Sequence, residues 1–279
     1  MSVRIVVDST ANMPESLLSQ VTVVPLNVSF GDETFIDGVT IDNKTFYEKL
    51  ATSNTLPKTS QPSPAAFAAV YEEAKQTGDT LVVLCVSSLL SGTCQSAMIA
   101  AQDYENVYVV DTLHVANAFG VLAEYALQLA NDGKSAQEIV DAVLAEREHV
   151  QLFALLDTLE YLEKGGRISK TAAFAGTLLS LKPIVCIRGG VLEMLGKARG
   201  SKQGNNLLCT SVQKTGVDFT RPVMLGYTGL DNSLLKKYIQ DSADLWEGNC
   251  TSLPYALIGS VIGTHVGPGA IAVAYIEQN

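Results

Sequence analysis

The stretch Leu81-Val82-Val83-Leu84-Cys85-Val86-Ser87-Ser88-Leu89-Leu90-Ser91-Gly92-Thr93-Cys94-Gln95-Ser96-Ala97 constrains the fold more than any other part of the chain. Six consecutive apolar residues with no polar alternation suit a strand buried on both faces, the environment of a parallel sheet covered by helices. The run stops in hydroxyls, and Ser91-Gly92-Thr93 offers N-cap oxygens ahead of a helix over 95–102. The first N–H groups of such a helix lack internal partners and carry the positive end of the macrodipole, while Gly92 lets a ligand approach the backbone closely. With donors added by Ser91 and Thr93, a carboxylate or a phosphate is the expected guest. The competing reading is a Ser/Gly turn that only caps the helix.

The same strand-then-hydroxyl grammar recurs. Residues 2–7 predict a short buried strand ending in Asp8-Ser9-Thr10, with a helix start near Pro14. Residues 21–30 alternate enough for one strand, Gly31-Asp32-Glu33 is a turn and 34–36 the returning arm, so 21–42 read as a hairpin insertion. A helix is expected over 46–51. Pro57-Lys58-Thr59-Ser60-Gln61-Pro62-Ser63-Pro64 reads as a hydroxyl-rich loop, because the residues before its prolines are biased to extended geometry. An amphipathic helix follows over 65–77, closed by Gly78. Residues 107–110 form another apolar strand ending in Asp111-Thr112, followed by a helix over 116–130 and a Ser135-capped helix to about 150. Four apolar strands alternating with helices predict a parallel α/β sheet whose ligand site lies off the strands' carboxyl ends. None of those ends carries Gly-x-Gly-x-x-Gly or a P-loop, which argues against a dinucleotide or nucleotide site.

Beyond Val150 the texture changes to strands over 152–156, 184–187, 191–194, 223–227 and 270–275, with helices over 159–162, 171–179, 201–215 and 234–245. The segment 171–179 is apolar nearly all round, as a core helix or the wall of an apolar pocket would be. At 279 residues, 47% hydrophobic and 17% charged, the chain buries a large core and divides naturally into two domains. The fold class is therefore α/β, with an N-terminal parallel-sheet α/β domain (1–150) and a C-terminal α+β domain (151–279).

A net charge of -10 and a pI near 4.8 exclude the basic footprint that general nucleic-acid or anionic-membrane binding requires. The N-terminus lacks a charged segment followed by a long apolar one, and no apolar run is long enough to span a bilayer, so a cytoplasmic protein is expected. Five widely spaced cysteines without Cys-x-x-Cys predict buried free thiols, and His114, His149 and His265 show no metal-ligand spacing. His265 stands out within Gly263-Thr264-His265-Val266-Gly267-Pro268-Gly269, read as a loop between an apolar run and a strand in which three glycines permit close approach. Two basic clusters, Lys164-Gly165-Gly166-Arg167 and Lys197-Ala198-Arg199-Gly200-Ser201-Lys202, interrupt an otherwise acidic chain. The first also reads as an ordinary solvated turn, the second as a loop entering a helix.

Six motifs stand in order along nearly the whole chain: Asp8-Ser9-Thr10, Thr59-Ser60-Gln61-Pro62-Ser63, Ser88-Leu89-Leu90-Ser91-Gly92-Thr93, Tyr161-Leu162-x-x-Gly165-Gly166-Arg167-Ile168-Ser169, Lys182-Pro183-Ile184 and Gly263-x-His265-x-Gly267-Pro268-Gly269. Together they resemble the DegV family. The resemblance implies a long-chain fatty-acid-binding protein with the lipid buried between two domains, without bound cofactor. It also implies a separate ATP-dependent fatty acid kinase subunit as partner, which phosphorylates the lipid's carboxylate. On the resemblance, Thr59, Ser60, Ser91, Gly92, Thr93 and His265 hold the carboxylate. Arg167, Lys197, Arg199 and Lys202 face the partner or the phosphate. Three departures from the family pattern are Cys94 in place of an aromatic, Thr112 in place of a serine, and Arg188-Gly189-Gly190 in place of Asp-Gly; the first would alter the pocket near the head group.

Physical chemistry makes such a site reasonable. Burying about fourteen methylenes at roughly 0.8 kcal/mol each gives on the order of 11 kcal/mol before ordering costs. The carboxylate, costly to bury alone, needs hydroxyls, helix N–H groups and an imidazole to replace its water, and beside it His265 is expected to be protonated. The rival is an enzyme: a hydrolase using Ser91 with His265, or a phosphotransferase using His265. The chain lacks the Gly-x-Ser-x-Gly elbow and a visible nucleotide site. A third reading is a small-anion sensor with no lipid tunnel.

Overall fold

The computed structural model describes residues 2–168, 181–250 and 253–278. The 171–179 helix expected from sequence lies outside them. In chain order the strands are β1 (Val3–Asp8), β2 (Thr22–Val24), β3 (Asn27–Phe30), β4 (Glu33–Ile36), β5 (Lys58–Ser60), β6 (Thr80–Cys85), β7 (Val107–Asp111), β8 (Val150–Leu155), β9 (Leu181–Arg188), β10 (Val191–Arg199), β11 (Val223–Tyr227), β12 (Tyr255–Leu257) and β13 (Ile271–Ile276).

Among the described residues these strands form three sheets. The first is parallel, in the order β2-β1-β6-β7, as the alternation of apolar runs and helices predicts. The second has the order β10-β9-β8-β13-β11-β12 and is antiparallel except for its β11–β12 edge. The third, β4-β3-β5, is small and antiparallel. The chain is thus a mixed α/β protein with a parallel sheet in its first half and a mixed sheet in its second.

Two local expectations change. The single strand expected over 21–30 divides at Pro25-Leu26: β2 joins the parallel sheet and β3 turns away to the small one. Proline has no N–H to continue a ladder, so the chain can leave one sheet there and enter another. The proline-bracketed segment read as a loop contributes β5, which pairs with β3 through Val28 and Thr59. Extended geometry before proline favours a strand as well as a loop, and only the partner strand distinguishes them.

The helix Ala116–Asn131 lies between the two large sheets and is buried along most of its length. Its approach and first residue include two non-glycine residues with positive φ, Leu113 (54°) and Ala116 (53°), a costly conformation that brings Ala116 against Ala11 and Asn12 in the turn after β1. The β13 strand is buried on both faces, with Ala272 and Ala274 in the core towards that helix and Ile271, Val273 and Tyr275 in the core beyond. β8 does the same: Ala154 faces one core, Phe153 and Leu155 the other. The inner face of the second sheet is therefore rich in alanine, and small side chains on a covered face leave space.

Candidate functional site

That space is a cavity walled by the alanine face of the second sheet, here Ala154, Ala270 and Ala272, and by the Ile258–Val266 segment opposite. About 830 Å³ of empty space lies inside it and at its mouth. Among the described residues that line it, only Thr10, Thr59, Ser91, Arg167 and His265 carry polar side chains. A separate outer depression is lined by Lys58, Tyr161, Lys164 and Thr264, together with Thr59, Arg167 and His265. The last three thus stand where the apolar interior meets a polar surface hollow.

Each is brought there by a different element. Thr59 is the middle residue of β5; strand alternation turns it inward and leaves Lys58 and Ser60 exposed. His265 is not in a loop: it sits in the last turn of a short helix, Ser260–Val266, that the glycine-rich sequence did not announce. Its Nε2 lies 2.8 Å from Thr59 Oγ1. Arg167 follows the helix Glu160–Gly165 and its αL cap, Gly166; its guanidinium donates to Gly165 O at 2.6 Å and to Leu90 O at 3.3 Å, joining the loop after β6 to this corner. Gly165 is required by closeness alone, since a Cβ there would overlap His265 Nδ1.

Burial, and after it the Arg167 charge, push the His265 imidazole down to about 4. By itself the protein therefore favours the neutral ring, and a protonated His265 requires a bound anion to supply the opposite charge. Nδ1 of this ring has no hydrogen-bond partner among the described residues. Ser91 Oγ meets Thr93 Oγ1 at 2.9 Å and accepts from the Thr93 N–H, so a relay of serine, histidine and acid is not assembled among the described residues.

The other expected residues fall as follows. Ser91 lines the cavity; Thr93 is fully buried behind it, and Gly92 is the helix N-cap without a side-chain cap, packed beneath the Gln61 amide. Ser60 accepts from Asn27 Nδ2 at 3.4 Å and lines neither hollow. Lys197 and Arg199 lie on the edge strand β10 and Lys202 in the first turn of the helix Gly200–Thr215, none of them lining either hollow. Cys94 points into the core with Phe67 and Tyr71, away from the cavity, so its substitution does not shape the pocket lining. Thr112 keeps the hydroxyl of the serine it replaces and donates to Cys85 O at 2.8 Å, and the turn at Gly190 accepts from Ser87 Oγ at 2.7 Å. His114 is buried with Nε2 2.7 Å from Arg147 O, and His149 lies 3.6 Å from Glu277.

Three contributors escaped the sequence reading: Thr10, Gln61 and the Leu90 carbonyl. Thr10 and Gln61 stand inside motifs already singled out, yet only the fold shows Gln61 donating to Ser96 Oγ at 2.9 Å and bracing the turn below Ser91. All five cysteines are free, three of them buried. Among the described residues no group of His, Cys, Asp and Glu could hold a metal ion, and no helix is long and apolar enough to cross a membrane.

Comparison with known proteins bears on this arrangement. A DegV domain-containing protein of Caldanaerobacter subterraneus subsp. tengcongensis is 33% identical over 281 residues, 99% of each chain. The structure of a DegV family protein from Thermus thermophilus, described as fatty acid binding, superposes with a TM-score of 0.87 at 31% identity, covering 99% of this chain and 100% of that one. The Streptococcus pneumoniae Fatty Acid Kinase (Fak) B3 protein, loaded with linoleic acid, superposes at 0.86 over all of both chains; at 22% identity that likeness is one of fold. The family described as uncharacterised protein, DegV family, matches residues 2–278. From the motifs, the three sheets and these likenesses alike, the chain belongs to the DegV family.

Proposed function

We propose that this protein binds a long-chain fatty acid in the apolar cavity and presents its carboxylate to a separate ATP-dependent fatty acid kinase, without catalysing phosphoryl transfer itself. The observation that carries the reading is the confinement of Thr59, Arg167 and His265 to the junction between an apolar interior and a polar surface hollow. An acyl chain gains by leaving water, and its carboxylate needs donors where it emerges. Ser91 and the turn of Gly92 and Thr93 extend that donor set, whereas Ser60, paired with Asn27, stands outside it. The acyl chain would then run between the two units, 1–150 and 151–279. Arg167 faces the transferred phosphate, while Lys197, Arg199 and Lys202 form an outlying basic surface for the partner. No cofactor or metal is required, and a cytoplasmic location follows from the nature of the proposed partner. The names borne by the Thermus and pneumococcal neighbours support both the ligand and the partner.

Native mass spectrometry of the purified protein, followed by denaturing extraction, tests the ligand. The expected result is one non-covalent long-chain fatty acid per chain. A protein that is empty and takes up no added palmitate refutes the reading. For presentation, His265→Ala is expected to weaken acyl-phosphate formation by an added kinase more than it weakens lipid retention; equal activity refutes that role.

A further inference from the structure

The hairpin 27–36 pairs with β5, the strand that carries Thr59, and packs close to the helix that carries His265. The helix Ser260–Val266 has seven residues, under two turns, and a helix so short depends on its neighbours for position. It is held at both ends by the small sheet. At the first end Ser260 Oγ donates to the Asp37 carboxylate at 2.5 Å. At the other, His265 Nε2 meets Thr59 on β5. Asp37 directly follows β4, and its N–H donates to Leu26 O at 3.0 Å, just before β3, the strand to which β5 is also paired. Both grips therefore belong to one frame.

Between the grips the helix lies close. Gly263 packs on Phe46 and Tyr47, and Tyr47 Oη donates to Ile258 O at 2.9 Å. The same helix contributes Val261, Ile262 and Val266 to the cavity wall. Asp37 is only 5% exposed, and a carboxylate taken from water is destabilising unless its oxygens are filled. The Ser260 hydroxyl supplies one such partner, and burial still outweighs the hydrogen bonds and raises the Asp37 carboxyl.

We propose that Asp37 is a positioning residue for His265: by gripping the first turn of the helix that carries the imidazole, it sets where His265 meets Thr59 and hence where a fatty-acid carboxylate is received. The link from Asp37 to His265 stands on the geometry alone; the link onward to a carboxylate rests on the fatty-acid reading.

The test compares the wild type with Asp37→Ala, Asp37→Asn, Ser260→Ala and His265→Gln, each delipidated and then loaded with palmitate carrying carbon-13 at its carboxyl carbon. NMR reads the His265 imidazole, assigned by its loss in His265→Gln, and the palmitate carboxyl signal. Asp37→Ala and Ser260→Ala are expected to shift both signals, with palmitate still bound one to one and its affinity lowered by up to about tenfold, the equivalent of one well-made hydrogen bond. Asp37→Asn, which can still accept from Ser260, is expected to restore signals near those of the wild type. Imidazole signals unchanged in Asp37→Ala, or in Ser260→Ala should the former not fold, overturn the proposal. A palmitate carboxyl signal unmoved by His265→Gln refutes instead the placement of the carboxylate, and leaves the effect of Asp37 on the imidazole to be read separately.

Discussion

The imidazole of His265 should make the delipidated protein lose stability in mild acid. Burial in the corner between Thr59 and Gly165, with Arg167 nearby, pushes it from an ordinary 6.5 down to about 4. At pH 7 the ring is neutral in folded and unfolded chains alike, so its contribution is fully present. As the pH falls below 6.5 the unfolded chain takes up the proton first, and stability is lost until the folded ring titrates near 4. The total is roughly 3 kcal/mol, at about 1.4 kcal/mol per pH unit inside the window. The assay is urea unfolding of delipidated wild type and His265→Gln at pH 7, 6, 5 and 4. Glutamine cannot titrate, so the difference between the two should move steadily in its favour below pH 6.5 and level off near pH 4. A flat difference curve, or one moving the other way, refutes the argument that burial decides the protonation of this ring. Loading with palmitate should shrink the effect, because a carboxylate beside the ring pulls its proton affinity back up.

Asp8 should act with the opposite sign. Burial raises it to about 6 against the hydrogen bonds of Thr10 and Val86, so its contribution is fully present below 3.8 and is lost, by roughly 3 kcal/mol, as the pH rises through about 6. The stability advantage of wild type over Asp8→Asn, read by the same urea titrations, should therefore be larger at pH 4 than at pH 7. Gly165→Ala should drive a methyl into His265 Nδ1 and cost about 1–3 kcal/mol of stability, with displaced imidazole NMR signals; unchanged signals would show that the corner is looser than the contact implies. Ala154→Phe should fill the alanine-walled cavity and, by displacing about four methylenes of contact at roughly 0.8 kcal/mol each, weaken palmitate by about 3 kcal/mol; lipid extracted from this variant should be shorter, and an unchanged lipid profile would place the chain elsewhere.

The parallel sheet was legible because its evidence is local. The uninterrupted apolar run at 81–86, the hydroxyls after it and the capping glycine at Gly78 each act within a few residues, and the structure returns Thr80–Cys85, the turn and Pro64–Thr77 closed by Gly78 in the αL conformation. Ser135 with Glu138 forms the capping box that its spacing allows. The helix carrying His265 was not legible. Glycine at three positions lowers helix propensity, yet Gly263 is there because Phe46 and Tyr47, far away in the chain, leave no room for a side chain. The strand β5 was hidden for a related reason, since a three-residue extended segment between prolines becomes a strand only when β3 supplies the partner.

For the site, the sequence by itself determined the chemistry available: hydroxyls after β6, a threonine between prolines, an arginine after two glycines, one histidine among glycines, and too little positive charge for a polyanionic partner. It also determined, through alternation, that alternate residues of β13 would face opposite sides. Only the tertiary structure decided that Thr59 and His265, 206 residues apart, share a hydrogen bond, that Ser60 next door does not join them, and that burial pushes the imidazole down. The physical reason is the same in each case. Periodicity and capping are properties of a short segment, whereas pairing partners, the depth of burial and the emptiness behind an alanine face belong to surfaces that meet only when the three sheets and the helix Ala116–Asn131 are packed together.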